Sequence, residues 1–212
     1  MTVIVPSDWL AGIARKSFLK NYPIKVIYNG IDLKNFSKKD SDFRERYNLR
    51  GKFIILGVAA VWSDSKGLSD YFKLSEILDD NYKIVLVGLT KKQIKKIPCN
   101  ILGIQRTESV TELACVYSAA NIFVNLTYSD NYPTVNLEAI ACDLPILTYN
   151  TGGSTEIAKK FGGLIVPRGN IEEVKSKILK FRKKPISVHG DKKLLDKSYT
   201  TQQYMNEYIL NY

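Results

Sequence analysis

Histidine is nearly absent from this chain of 212 residues, and cysteine is scarce. The one histidine, His189, falls in a linker after Pro185 and reads as a surface residue. The three cysteines, Cys99, Cys115 and Cys142, stand singly with no CxxC pair. That supplies neither a metal-ligand set nor a Ser/His/Asp or Cys/His relay, and an odd, unclustered count reads as reduced thiols, each a small buried apolar residue. Neither HExxH nor a P-loop is present, so hydrolytic and metalloprotease chemistry lacks support. Long apolar runs are missing too. None approaches bilayer-spanning length, and the N-terminus has no signal-peptide pattern, which leads us to expect a cytoplasmic protein. Acidic residues are in deficit, 21 against 31 basic, giving a net charge of +10. The basic clusters Lys91-Lys92, Lys95-Lys96, Arg182-Lys183-Lys184 and Lys192-Lys193 read first as solvated helix faces. Peripheral attraction to an anionic inner-membrane leaflet is the second reading. Nucleic acid comes last, because no basic stripe is interleaved with aromatics.

What remains is ordinary for a globular protein, 45% hydrophobic and 25% charged, and long enough for one large domain or two small ones. Short apolar runs begin at Phe53, Lys83, Ile101, Asn121, Pro145 and Leu164, and segments with helical spacing separate them. This alternation predicts an α/β fold: a single Rossmann-like, doubly wound, mostly parallel sheet of about six strands. Ile84–Gly88 is almost wholly apolar and should be central. Helices are expected over Leu68–Leu78, Thr90–Lys96, Val110–Ala119 (capped by Ser109) and Ile171–Phe181, with a short one around Asp42–Tyr47. Ahead of the sheet, Val3–Val5 reads as a strand. Ser7 should cap a helix from Asp8 to Lys20, and Lys25–Ile27 should be a strand entering a turn at Asn29-Gly30. After Pro185, a short polar helix is expected at Asp191–Ser198. Thr200 should then cap a last helix, Thr201–Tyr212, with an aromatic side from Tyr204, Tyr208 and Leu210–Tyr212.

The chain is organised around Asn121–Gly153, NIFVNLTYSDNYPTVNLEAIACDLPILTYNTGG. Ile122-Phe123-Val124 is a strand and Thr127–Asn131 a polar loop. Pro133 suits a helix's first turn, and Leu137, Ile140 and Ala141 turn one face of that helix inward. A further strand at Pro145–Thr148 is closed by Gly152-Gly153. The free N–H groups around Thr134, Val135 and Asn136 form an anion site at the carboxyl end of a strand, bracketed by Asp130 and Glu138. Such a site suits a ligand with phosphates and sugars. Equally, Asp130 can simply cap the helix and Glu138 sit in its dipole-favoured half. Upstream, Trp62–Gly67 places Lys66 at a helix start after a strand, a phosphate-binding arrangement or a plain surface lysine. Doubly wound topology should gather Lys66, Arg106, Asp130, Thr134 and Glu138 at one sheet edge.

These residues resemble the donor-site signature of retaining glycosyltransferases of the GT-B fold, family 4 type. The signature pairs an acid with Glu-Ala after seven positions, here Asp130 and Glu138-Ala139. Gly-x-Pro and Gly-Gly-x-x-Glu follow, here as Leu144-Pro145 and Gly152-Gly153-Ser154-Thr155-Glu156. The Asp130-Asn131-x-Pro133 form is similar to a branch that builds bacterial exopolysaccharides and capsules. Two departures stand out. Val61 and Ala60 occupy the places where the family usually has an arginine, which makes Arg106 a candidate substitute or a solvated loop cation. Asp143 replaces a glycine where a positive φ is expected.

The resemblance implies a nucleotide-diphosphate sugar donor, UDP- or GDP-linked, with no cofactor and no metal. Lys66 and the Thr134 and Val135 N–H groups would hold the diphosphate and Glu138 the ribose. Asp130, with backbone around Asn131 and Tyr132, would orient the sugar for transfer with retention. It also implies that residues 1–28 are the end of a first domain and linker, 29–182 a donor-binding domain, and 183–212 C-terminal helices that cross back toward the first domain. A missing acceptor domain or partner chain would hold the glycan or lipid-linked acceptor, so this chain alone should bind donor and transfer little. Two other classes stay open: a non-catalytic nucleotide-sugar-binding module, and a basic interaction domain for membrane or RNA.

Overall fold

The six apolar runs are strands, each starting within one residue of its expected place. Ile54-Ile55-Leu56 and Ile84-Val85-Leu86-Val87 lack polar alternation because their sheet is covered on both faces. In the computed structural model, which describes residues 1–210 and only the backbone of Leu210, the chain opens with β1 (Val3–Val5), α1 (Asp8–Ala14), β2 (Ile24–Val26) and α2 (Phe43–Arg46). The main body follows as β3 (Phe53–Val58), α3 (Leu68–Ile77), β4 (Tyr82–Val87), α4 (Lys91–Ile94), β5 (Ile101–Ile104) and α5 (Val110–Ala119). It continues as β6 (Ile122–Asn125), α6 (Thr134–Ala141), β7 (Ile146–Tyr149), α7 (Ser154–Phe161), β8 (Leu164–Val166), α8 (Ile171–Lys183) and α9 (Lys197–Leu210).

β3 to β8 form one all-parallel sheet in the order β5-β4-β3-β6-β7-β8, while β1 and β2 make a separate parallel pair. Counted from β3 this is the order 3-2-1-4-5-6 of a doubly wound nucleotide-binding fold. Side chains alternate between two cores. Ile54 and Leu56 join Phe123, Leu137 and Ile157 under α5, α6 and α7. Phe53 and Ile55 join Leu74, Val124 and Val174 under α3 and α8. Full burial of one such side chain contributes about 1.5–3 kcal/mol. No helix among the described residues is long and apolar enough to cross a membrane.

Five expectations are corrected. The first helix stops at Ala14 rather than Lys20, because Ser17 Oγ donates to the Ala14 carbonyl (2.8 Å) and accepts from Leu19 N–H (3.1 Å), starting a tight 3-10 turn over Phe18–Asn21. Asn29-Gly30 lies in irregular backbone and forms no turn. Gly30 is required there because a side chain would strike Lys197 Cα and the Asp196 carbonyl, at 2.7 and 2.8 Å from its β-carbon. Ile31 N–H donates to Leu195 O and Lys197 N–H to Ile31 O, so this segment is shaped by the start of α9. That helix begins at Lys197, with Asp196 accepting Ser198 N–H, while Thr200 lies inside it and donates to Tyr28 O (3.1 Å). A 3-10 turn, Lys192–Leu195, takes the place of the expected polar helix. Tyr204 and Tyr208 are exposed; the rest of the expected aromatic side, Leu210–Tyr212, lies outside the described side chains. Among the cysteines only Cys142 is buried, for Cys99 is exposed and Cys115 half-buried.

Candidate functional site

The strand order makes the site. The connections of β3 and β6, adjacent at the sheet centre, run to opposite sides, so the loops at their carboxyl ends part and leave a crevice. The loop after β3 is anchored by Trp62, whose indole N–H donates to Val87 O (2.8 Å). It then makes a 3-10 turn, Asp64–Lys66, and enters α3 through Gly67 at φ +76°. A β-carbon at Gly67 would lie 2.2 Å from Leu126 O, so the turn carrying Lys66 presses directly on the loop after β6. Ser65 O ties the two further by accepting Tyr128 N–H (2.8 Å) and the Thr127 hydroxyl (3.3 Å).

This close fit brings Lys66 Nζ to 2.7 Å from Asp130 Oδ2, although 64 positions separate them in sequence. Asp130 therefore does not cap α6; Pro133 occupies the cap position, one place before the first turn where it was expected, with no side-chain cap bond. Behind Asp130 lies the glycine pair. Gly153 N–H donates to Asp130 O (3.2 Å), and β-carbons at Gly152 and Gly153 would sit 1.9 Å from the Asp130 and Asn131 carbonyls. The Glu156 carboxylate that follows accepts the N–H groups of Asp8 (3.0 Å) and Trp9 (2.7 Å), capping α1. Asp143 adopts φ +61°, the left-handed conformation expected of it, and its carboxylate pairs with Lys192 (2.5 Å).

The tip of α6 divides two adjoining cavities, and both share Val58, Ala59, Ala60, Thr134 and Val135. The first, about 410 Å³, takes in Lys66, Asp130, Tyr132 and Asn125. The second, about 590 Å³, takes in Glu138, Arg106, Lys91 and Leu113. Thr134 and Val135 N–H have no partner among the described residues, but Asn136 N–H donates to Pro133 O (3.1 Å). The expected trio of free donors is thus a pair, because the first turn closes with a 3-10-type bond. Asn131 is exposed and lines neither cavity. Tyr132 is buried, stacked on Tyr28 (centroids 5.0 Å apart), and its carbonyl accepts Asn29 Nδ2 (3.3 Å). Val61 lines the first cavity and is 72% exposed, so the place where the resembled family has an arginine is open and uncharged here.

Glu138 Oε2 accepts the hydroxyl of Tyr117 (2.9 Å). Burial raises the Glu138 carboxyl above its ordinary range, and the Tyr117 hydrogen bond opposes that rise. Arg106 is exposed, with no hydrogen bond or ion pair among the described residues. No three His, Cys, Asp or Glu side chains of the described residues gather into a metal-binding group. Sequence reasoning missed Tyr117, which reads as a core aromatic on its helix. It missed Asp70 as well, a buried carboxylate on α3 that accepts the hydroxyls of Tyr128 and Tyr149 (both 2.8 Å) and so anchors the loop leading to Asp130. A lone aspartate in an otherwise apolar helix face was the available signal.

Fold and crevice together define the class: a Rossmann-like half of a GT-B structure with an open crevice at its switch point. The chain belongs to the glycosyl transferases group 1 family, whose model matches residues 39–197. It is 25% identical over 164 residues to the capsular polysaccharide biosynthesis glycosyltransferase CapM of Staphylococcus aureus, covering 72% of this chain and 43% of that protein. Among solved structures, sucrose-phosphate synthase from Thermosynechococcus elongatus superposes with a TM-score of 0.84 at 21% identity, covering 99% of this chain and 58% of that one. Anabaena HepE, solved with UDP and glucose, gives 0.78 at 17% identity, covering 98% and 62%. The chain spans a little under half the length of the curated relatives it matches.

Proposed function

We propose that this chain forms the donor side of a glycosyltransferase and holds a nucleoside-diphosphate sugar across the tip of α6. The observation that carries the reading is the pair of free N–H groups at Thr134 and Val135, set between one cavity with Lys66 and Asp130 and another with Glu138 and Arg106. A diphosphate fits the donors and the lysine. The ribose falls to Glu138 in the second cavity, with Arg106 near the nucleotide, and the sugar to Asp130 in the first. In that arrangement Lys66 and the helix tip stabilise charge growing on the departing diphosphate, with no metal and no general base, and the sugar moves with its anomeric configuration retained. Two findings support a UDP-linked donor and polysaccharide assembly: HepE was solved with UDP and glucose, and CapM is named for capsular polysaccharide biosynthesis. The acceptor, a glycan or a lipid-linked sugar, is assigned to a surface beyond these 212 residues, so the chain by itself should turn over little or nothing. The exposed lysines of α4 and its C-terminal cap, Lys91, Lys92 and Lys95, support peripheral contact with an anionic membrane.

Thermal melting with UDP or GDP in the presence of EDTA tests the reading. A nucleotide at a hundred times its dissociation constant adds about 2.7 kcal/mol of stability. Glu138→Ala should abolish that shift. No shift with either nucleotide sinks the proposal, and turnover by residues 1–212 alone sinks its acceptor part.

A further inference from the structure

Tyr117 lies wholly inside the protein on α5, its ring packed edge-on to Phe36 (6.2 Å) and tilted on Phe123 (5.6 Å). Phenylalanine would fill the same space, so packing does not explain the hydroxyl. A buried hydroxyl is costly unless it is used, and here it has one partner, Glu138 Oε2 at 2.9 Å. Glu138 Oε1 has no partner among the described residues, and Glu138 lines the second cavity. We infer that Tyr117 is a positioning residue of the nucleotide site, holding one carboxylate oxygen of Glu138 so that the other meets the ribose hydroxyls. This rests on the donor-site reading above and extends it to a residue that touches no ligand itself.

The physical role is twofold. The hydrogen bond restricts the Glu138 rotamer, and it favours the carboxylate over the acid against the cost of burial. The other ionisable groups facing this carboxylate are Cys142 one turn along α6, and Arg106 and Lys91 across the cavity. Without the hydroxyl, Glu138 should therefore bind its proton more tightly and turn more freely.

The test measures affinity for UDP (or GDP, if only that binds) and for its 2′,3′-dideoxy analogue across pH. Tyr117→Phe should weaken the ribonucleotide about tenfold near neutral pH, the scale of a hydrogen bond to a charged group, and less in alkali as the carboxylate re-forms. Discrimination between ribose and dideoxyribose should shrink accordingly. In a Glu138→Gln background Tyr117→Phe should change affinity less and without pH dependence, since the amide still accepts the hydroxyl but no carboxylate is left to charge. Wild-type affinity and discrimination in Tyr117→Phe at every pH would overturn the inference, as would an undiminished effect beside Glu138→Gln. Should Tyr117→Phe not fold, the wild-type protein decides: its ribonucleotide affinity must fall in acid more than its dideoxynucleotide affinity, and equal responses refute the proposal. Loss of ribose discrimination in Glu138→Gln but not in Tyr117→Phe removes this inference alone. Failure of the wild-type protein to bind either nucleotide removes the donor-site reading with it.

Discussion

At the level of single residues, the ion pair between Lys66 and Asp130 is the contact with the sharpest consequence. The ammonium proposed to meet a diphosphate is held by the carboxylate proposed to meet the sugar. Ligand binding must then exchange one partner for another. The pair is partly exposed, with 38% and 19% of the side chains accessible, so it contributes no more than about 0.2–1 kcal/mol. A phosphate competes against that easily. Asp130→Asn should accordingly bind the nucleoside diphosphate as well as or several-fold better than wild type, while losing any preference for the sugar-bearing donor. Lys66→Met should bind both more weakly. Calorimetry with nucleotide and nucleotide sugar reads these outcomes, and a parallel loss in the two variants would show that the pair is a shared structural support.

At the level of elements, glycines and carboxylates decide how loops seat against each other. Gly67 combines φ +76° with backbone contact at Leu126, so relaxation cannot absorb a side chain. Gly67→Ala should cost more than the roughly 1 kcal/mol of an ordinary strained glycine and displace the Lys66 turn, lowering both melting temperature and nucleotide affinity. Glu156 acts differently, because it accepts two N–H groups at the start of α1. Glu156→Ala should cost about 0.5–2 kcal/mol, the scale of a lost helix cap, and leave nucleotide affinity near wild type. Denaturant unfolding and titration together separate the two cases. A large affinity loss in Glu156→Ala would mean that α1 reports on the crevice after all.

For the whole molecule, the buried carboxylate couples stability to pH. Glu138 binds its proton more tightly folded than unfolded, because burial raises its pKa in the native state. The folded state therefore holds more proton between the unfolded and folded values, and stability falls as pH rises through that window. The penalty is complete above the folded value and absent in acid below the unfolded one. Glu138→Gln, which keeps an acceptor for Tyr117, should melt higher than wild type at neutral and alkaline pH, with the gap closing toward about pH 4. Melting curves across that range check it, and a gap constant with pH would dissociate Glu138 from the effect. The variant would gain stability and bind the ribonucleotide more weakly, as expected where function requires a charged group in a poorly solvated place.

The parallel α/β architecture was legible in the sequence because apolar runs such as Ile84–Val87 can satisfy their burial only inside a two-sided sheet. The acid-seven-acid spacing about Pro133 was legible for a local reason, since eight positions along one loop and helix leave little freedom. Contacts made at a distance were not. Asn29-Gly30 has the composition of a turn, yet the start of α9 lies directly against Gly30 and no turn forms. Tyr117 looks like any core aromatic until α5 is laid against α6, and Asp70 like a stray charge until two tyrosines close over it. Chain-local chemistry thus determined which segments become strands and helices, and that α6 begins with unpaired N–H groups. Which hydroxyl steadies which carboxylate, and that Lys66 meets Asp130, was decided only by tertiary packing, because those partners are set by how loops from different strands interlock.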